Sequence, residues 1–303
     1  MSTAWQASIG GDEGDDTGVA APPRQLVRTL VGDRWAMMGG FVLLLLVLMA
    51  VAAPLVAPYD PGHQHDIVRL RNLAPSATYP LGTDLHSRDV LSRIIYGARV
   101  SLSLAFLSVT VAVIVGTAYG AAAGYVGGRV DSFMMRLVDA LLAIPRVLLL
   151  IAVATLWNGI GLAGLVLLLG FTGWFGVSRL VRTIVLSARE DEFVTAARAL
   201  GATDTRILAR HILPQALSPV LVAATLAIGN VVVIEAGLSY LGIGVHEPVA
   251  SWGSVFQLGM DDFPSTWWAP LFAGLALVVT VLAVNLVADG LRRALSTRQL
   301  PAR

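Results

Sequence analysis

Six stretches of this chain are long and apolar enough to cross a bilayer, which leaves it few ways to fold. A hydrocarbon core of about 30 Å takes about 20 apolar residues in a helix. Inside it, each backbone amide must find its partner within the protein, so helices or closed barrels alone can cross. The runs are helix-length, and the fold class expected is an all-α integral membrane protein. The spans read as roughly Ala36–Ala57, Val100–Gly124, Phe133–Trp157, Gly161–Val181, Ala216–Leu241 and Trp267–Asp289. Phe41–Met49 followed by Ala50-Val51-Ala52 has the outline of a cleaved leader. The long acidic segment before it, and the apolar run continuing past it, favour a retained span.

These spans set a domain plan. Residues 1–30 are expected to be a disordered tail, since 1–23 are rich in Gly, Asp, Ser and Ala, with Asp12, Glu13, Asp15 and Asp16. Residues 31–99 hold the first span and an external loop. Residues 100–292 hold the membrane core, with a charged loop at 187–215, and 293–303 form a second tail. Arginine bias gives the orientation. Arg179, Arg182, Arg189, Arg198, Arg206 and Arg210 flank or fill the charged loop. Arg292, Arg293, Arg298 and Arg303 lie at one terminus and Arg24, Arg28 and Arg34 at the other. An even number of spans puts all three groups on the cytoplasmic side, with both termini. The 58–98 loop is then external, its Arg69, Arg71, Arg88 and Arg93 balanced by Asp60, Asp66, Asp84 and Asp89.

Composition removes whole classes of chemistry. With 0 Cys there is no disulfide framework, thiolate metal site or cysteine nucleophile. All 21 basic residues are arginine, so a complete Walker A loop, which needs its lysine, is excluded. If ATP drives this protein, another chain binds it. No catalytic residue and no metal set is assigned. His63 and His65 with Asp66 make a His-x-His pattern, which is too few ligands for a site.

The charged island from Ser187 to Pro219 interrupts this apolar background. Ser187 and Glu190 have capping-box spacing, and Glu190, Asp191 and Glu192 suit the positive end of a helix. Phe193, Ala196, Ala197 and Leu200 share one face at three- and four-residue intervals. Gly201 follows where a left-handed C-cap ends a helix. Thr203 or Asp204 can start a second short helix, expected to stop near Pro214. A protruding helix with small residues on one face suits a groove on another protein; lying on the membrane surface is the plainer alternative.

Within the spans, Gly116, Gly120 and Gly124 form a small-residue seam for helix packing. Pro145 breaks the third span. Next to it, Arg146 is an intramembrane charge, which ordinarily faces a protein interior or a wet cavity. It is a translocation-path candidate, with snorkelling or an ion pair to Asp139 as the alternative. Asn230 and Glu235 are candidates on the fifth span, Glu235 toward the outer gate. Asp289 is expected to pair with Arg292 or Arg293, and Trp252, Trp267 and Trp268 to anchor at the interface.

Ala196-Ala197-x3-Gly201 followed by Leu213-Pro214 resembles the EAA loop of ABC importer permeases. Thr195 stands where that family has Glu, and His211 where it has Ile. Further matches are Leu81-Gly82-Thr83-Asp84 with Arg88-Asp89-Val90-Leu91-Ser92-Arg93, where Ser87 replaces a glycine. Gly124-Tyr125-x-Gly127-Gly128, the Glu235–Gly242 stretch, Ser251-Trp252-Gly253 and Asp289-Gly290-Leu291-Arg292 agree as well. These resemble the C-type permeases of the dipeptide and oligopeptide branch. The resemblance implies a type I importer fold and a coupling helix bearing Glu192, Phe193, Ala196, Ala197, Leu200 and Gly201. It implies a B-type permease partner and one or two cytoplasmic ATPase subunits that hold ATP and Mg. It also implies an extracytoplasmic binding protein, surrounding membrane lipid and a place in the bacterial inner membrane. Nothing in it points to nucleic acid.

Overall fold

The computed structural model describes residues 29–64, 66–157 and 159–296. Helix α1 (Arg34–Val51) starts where Asp33 Oδ1 accepts the amides of Trp35 and Ala36, at 3.0 and 3.2 Å. One turn, α2 (Ala53–Val56), leads into the external loop. Helix α3 (Val90–Val126) is 37 residues long. At 1.5 Å per residue it reaches about 55 Å, well past the hydrocarbon core. It begins ten residues before the expected span, at a cap in which Asp89 Oδ2 accepts the Ser92 amide at 2.8 Å.

Helices α4 (Gly128–Leu142) and α5 (Arg146–Leu156) replace the single third span and meet at a bend of 81°. Pro145, which has no amide hydrogen to donate, stands at the break as the N-cap of α5. At 15 and 11 residues, they measure about 22 and 16 Å, and neither alone spans the membrane. Their role follows from α6 (Leu162–Ala188). Gly116 lies against Val177, Gly120 against Ser178 and Gly124 against Val185, so α3 and α6 run parallel. The chain must return to the starting side between them, so α4 and α5 together make that crossing. Five long helices and this broken pair give six crossings among the described residues.

After α6 come α7 (Glu192–Ala199), α8 (Asp204–Ile207), a π-turn at Leu208–Ile212 and α9 (Leu213–Tyr240). The sequence predicts a second helix ending near Pro214. Instead the chain continues through the π-turn into the span. Pro214 falls in the first turn of the resumed α-ladder, where a missing amide costs little. Helices α10 (Trp252–Asp261), α11 (Phe263–Thr266) and α12 (Trp268–Ser296) complete the fold. The helix α12 carries residues 293–296, expected to belong to a tail, while the expected tails at 1–28 and 297–303 lie outside the described residues.

Three clusters of buried side chains hold the bundle. The largest gathers Leu104, Leu165, Leu169, Val232, Leu238, Trp252 and Trp268 toward the end that carries the 57–89 loop. The second gathers Val181, Val185, Val194, Ile207 and Ile212 toward the end that carries α7, and a small third one sets Val138 against Trp174 and Phe175. Trp252 and Trp268 are core residues, a correction to their reading as interfacial anchors. Their indole nitrogens donate to Ile94 O at 3.0 Å and Thr83 O at 3.1 Å, which removes the need for a wet surface. Trp267 alone of the three is half exposed. Where α1 starts and α12 ends, Arg293 pairs with Asp33, its Nε donating at 2.8 Å. Asp289 has no ion pair with Arg292 or Arg293 among the described residues, because Asp33 meets the arginine across the helix packing instead.

Candidate functional site

The charged island folds into a platform with one side sunk in the bundle. Ser187 lies in the last turn of α6, so the expected capping box does not form; the apolar face of α6 carries the helix past it. Asp191 becomes the N-cap of α7 instead, leaving Glu192 in the first turn. Val194 is fully buried and Ala197 packs beside it in the second cluster. Ala197 therefore leaves the face on which its spacing placed it. The outward face holds Glu192, Phe193, Thr195, Ala196 and Leu200, the last 89% exposed.

The helix ends in a Schellman motif. Ala202 N donates to Ala197 O at 3.0 Å and Gly201 N to Arg198 O at 2.9 Å, which satisfies carbonyls left orphaned at the end. Gly201 sits at φ +81°, a conformation open to glycine at little cost. Polar ties fix the platform to the α3–α4 corner. Tyr125 donates its hydroxyl to Asp204 Oδ1 at 2.5 Å, and Arg189 reaches the carbonyls of Gly124 and Tyr125 at 3.3 Å each. Arg182 meets Asp131 with both ends of its fork, Nη2 to Oδ2 at 2.6 Å. A rigid helix thus projects bare apolar residues from the end of the bundle where the arginines gather.

Behind it runs the glycine seam. A Cβ on Gly116 would stand 2.6 Å from Val177 Cβ, one on Gly124 2.8 Å from Arg182 O, and one on Gly120 would overlap Ser178 O. The backbones of α3 and α6 approach too closely for any larger residue.

Late in α9, Glu235 is completely buried and caged by three hydroxyls. Ser101, Ser239 and Ser251 donate to it at 3.1, 2.8 and 2.7 Å. Ser251 caps α10, and Ser101 in turn accepts the Trp252 amide at 3.2 Å. The carboxylate therefore ties α3, α9 and the start of α10 together. Asn230 is exposed, and five residues put it about 140° around the helix from Glu235; the two do not meet. Arg146 does not pair with Asp139, whose carboxylate is taken by Arg179. Its Nε instead donates to Thr172 Oγ1 at 3.3 Å and its Nη2 to Leu169 O at 3.0 Å.

The residues match known proteins along most of the chain. A family model described as the binding-protein-dependent transport system inner membrane component covers residues 112–300. The chain belongs to this family. A second model, the N-terminal TM domain of oligopeptide transport permease C, covers 22–75. The dipeptide transport system permease protein DppC of Bacillus subtilis is 37% identical, over 89% of this chain and 84% of its own. The oligopeptide transport system permease protein OppC of Bacillus subtilis is 35% identical, over 88% and 86%. The glutathione transport system permease protein GsiD of Pectobacterium atrosepticum is 37% identical, over 93% of each. A chain of the inward-facing MetNI methionine ABC transporter aligns with a TM-score of 0.52 at 21% identity, covering 67% of this chain and 95% of that one. The fold is that of a type I ABC importer permease.

One cluster in this permease escaped the sequence reading. Asp84, Arg88 and Arg93 are buried beneath the external loop. Arg88 Nε donates to Asp84 Oδ2 at 2.8 Å, Arg93 Nη2 donates to Glu247 Oε1 at 2.8 Å, and Arg88 Nη1 meets the other Glu247 oxygen. Two arginines that count against an external loop are thus neutralised inside it. The nearest signal was the Leu81–Arg93 match, but Glu247 lies over 150 positions away. Ser87, standing for a glycine, has φ +63°, the left-handed region where glycine is favoured. His63 is exposed and His65 lies outside the described residues.

Burial pushes the Glu247 carboxyl up, but the charges and hydrogen bonds of Arg93 and Arg88 outweigh it and hold it below the ordinary range. A depressed carboxyl contributes stability above its unfolded value, and loses it as pH falls through the folded one. The latch between the external loop and the 242–250 turn is therefore expected to hold from neutral pH down to the ordinary glutamic-acid range and to open below it. Protease cleavage of the 57–89 loop against pH measures this; rising cleavage between pH 7 and 6 would contradict it. Breaking a buried pair costs about 3–5 kcal/mol. Because Glu247 is 41% exposed, we expect about 1–2 kcal/mol for Glu247→Gln, read as a lower thermal midpoint in detergent.

Proposed function

We propose that this permease is the C-type half of the pore of an ATP-driven importer that carries di- or oligopeptides across the bacterial inner membrane. The observation that carries the reading is the α7 platform, an anchored helix presenting Phe193, Ala196 and Leu200 to a partner at the arginine-rich end. Glu192, Ala197 and Gly201 shape and hold that platform. Both termini lie in the cytoplasm. ATP and Mg bind to one or two ATPase subunits there, and this chain contributes no catalytic group, cofactor or metal site. Closure of the ATPases on ATP moves α7, and with it α6 and α9, from an inward-facing to an outward-facing arrangement. A homologous B-type permease supplies the other pore half, lipid surrounds both, and an extracytoplasmic binding protein delivers substrate to the 57–89 loop and the 242–266 segment, which includes α10 and α11. The relatives, named for dipeptide and oligopeptide transport, support peptides over nickel chelates or sugars as the cargo, and the glutathione relative is named for a peptide-like molecule.

Uptake of labelled di-, tri- and longer peptides tests this in a deletion strain lacking redundant importers, restored with the wild-type chain. Loss on deletion and recovery on restoration is the expected result. Uptake that never depends on the chain would move nickel or sugar cargo, or a scaffold that merely docks an ATPase, to the front.

A further inference from the structure

The bundle holds a small cavity halfway along α3 and α9. It has a volume of about 40 Å³ and is lined by Ser108, Ala112, Arg146, Leu169, Gly173 and Ala227 among others. A single water needs about 10–15 Å³ on that measure, so the space takes a small polar group. Two observations say what kind. Arg146 is a half-buried guanidinium whose hydrogen bonds go to one hydroxyl and one carbonyl. Among the described residues no acidic side chain lines the cavity, and Asp139, the carboxylate nearest in sequence, belongs to Arg179. Ser108 Oγ is completely buried and has no hydrogen-bond partner among the described residues. Among the described residues, a positive charge without a counterion and a hydroxyl without a partner thus line the same cavity.

Space for the guanidinium is built in: a Cβ on Gly173 would stand 3.3 Å from Arg146 Nη2. Arg146 is also the first residue of α5, the second half of a broken span. The positive end of a half-helix near the midplane is a recurring device for holding an anionic substrate group.

We propose that this cavity is a mid-membrane station for a carboxylate, and specifically for the terminal carboxylate of a peptide in transit. The assignment rests on the peptide reading above. Arg146 supplies charge-assisted hydrogen bonds and Ser108 a neutral one, and the group exchanges the water of the outer compartment for them as the pore reorients. The station does not select side chains, so it suits a transporter whose cargo varies in sequence but always ends in the same group.

The test uses the complete transporter in proteoliposomes, with a tripeptide and its C-terminal amide each preloaded on the binding protein. The quantity read in each variant is the ratio of acid to amide transport, so any general loss of function cancels. The expected fall in that ratio is about tenfold or more for Arg146→Met, since charge-assisted bonds contribute about 1.5–3 kcal/mol. Arg146→Lys should keep the ratio within about threefold of wild type, and Ser108→Ala should lower it about threefold. An unchanged ratio in Arg146→Met overturns the station, whether or not both rates drop together, and leaves a resident anion or packing as the role of the site. If that variant does not assemble, an unchanged ratio in Ser108→Ala does the same. A wild type that moves neither compound sinks the peptide reading and the station with it; a wild type that moves both, with variants that keep the ratio, sinks the station alone.

Discussion

Leu200→Asp should leave the protein folded and inserted while cutting substrate-stimulated ATP hydrolysis more than tenfold. Leu200 is 89% exposed and belongs to none of the three buried clusters, so replacing it removes no core contact. A charge there costs the isolated chain almost nothing. In a docked complex the same side chain is desolvated against a partner, and an unpaired carboxylate in such an interface costs several kcal/mol. The contrast with Val194→Asp makes the reading specific. Val194 is fully buried under α7, so its replacement should unseat the platform and lower the yield of folded protein as well. Both variants are to be measured for membrane insertion, copurifying ATPase and stimulated hydrolysis. Normal coupling in Leu200→Asp would contradict the placement of the interface.

Gly120→Leu should prevent assembly of a stable bundle. A Cβ at this position overlaps the Ser178 carbonyl oxygen, with the rest of the Ser178 backbone at 3.0 Å. Backbone on both sides leaves no side chain free to swing away, so α3 and α6 would have to separate along their whole seam. Overpacking costs about 1–3 kcal/mol where neighbours can adjust, and here the larger end of that range or more is expected. Gly176 provides the control, since it is exposed and nothing lies within 4 Å of a Cβ placed on it. Gly176→Leu should express and melt like wild type, whereas Gly120→Leu should lose most of its folded yield. Equal melting of the two variants would rule out the seam.

What the sequence made legible was local. The apolar runs announce the spans, because composition alone decides what a bilayer tolerates. Gly201 announces the end of α7, because a positive φ there leaves few alternatives to glycine. Pro145 marks the break between α4 and α5, although its 81° bend does not follow from the residue itself. The failures all involve partners far apart in the chain. Ser187 looks like a cap until the packing of α6 draws the helix through it. Trp252 and Trp268 look interfacial until Ile94 O and Thr83 O accept their N–H groups. Arg93 looks like loop charge until Glu247 meets it and lets α3 begin at Val90. Asp289 loses Arg293 to Asp33 for the same reason. Within the platform, spacing grouped Ala197 with Phe193 and Ala196, but Val194 determines the inward side and takes Ala197 with it.

The most direct measurement is peptide uptake counted together with ATP hydrolysis in proteoliposomes holding this chain with the proposed B-type permease and ATPase subunits. Binding protein is supplied on one side and ATP on the other. Uptake is expected only when both are present, and Leu200→Asp should abolish uptake and stimulated hydrolysis together. Uptake that proceeds without ATP, or that survives Leu200→Asp undiminished, would contradict the claim that α7 couples ATP hydrolysis to transport.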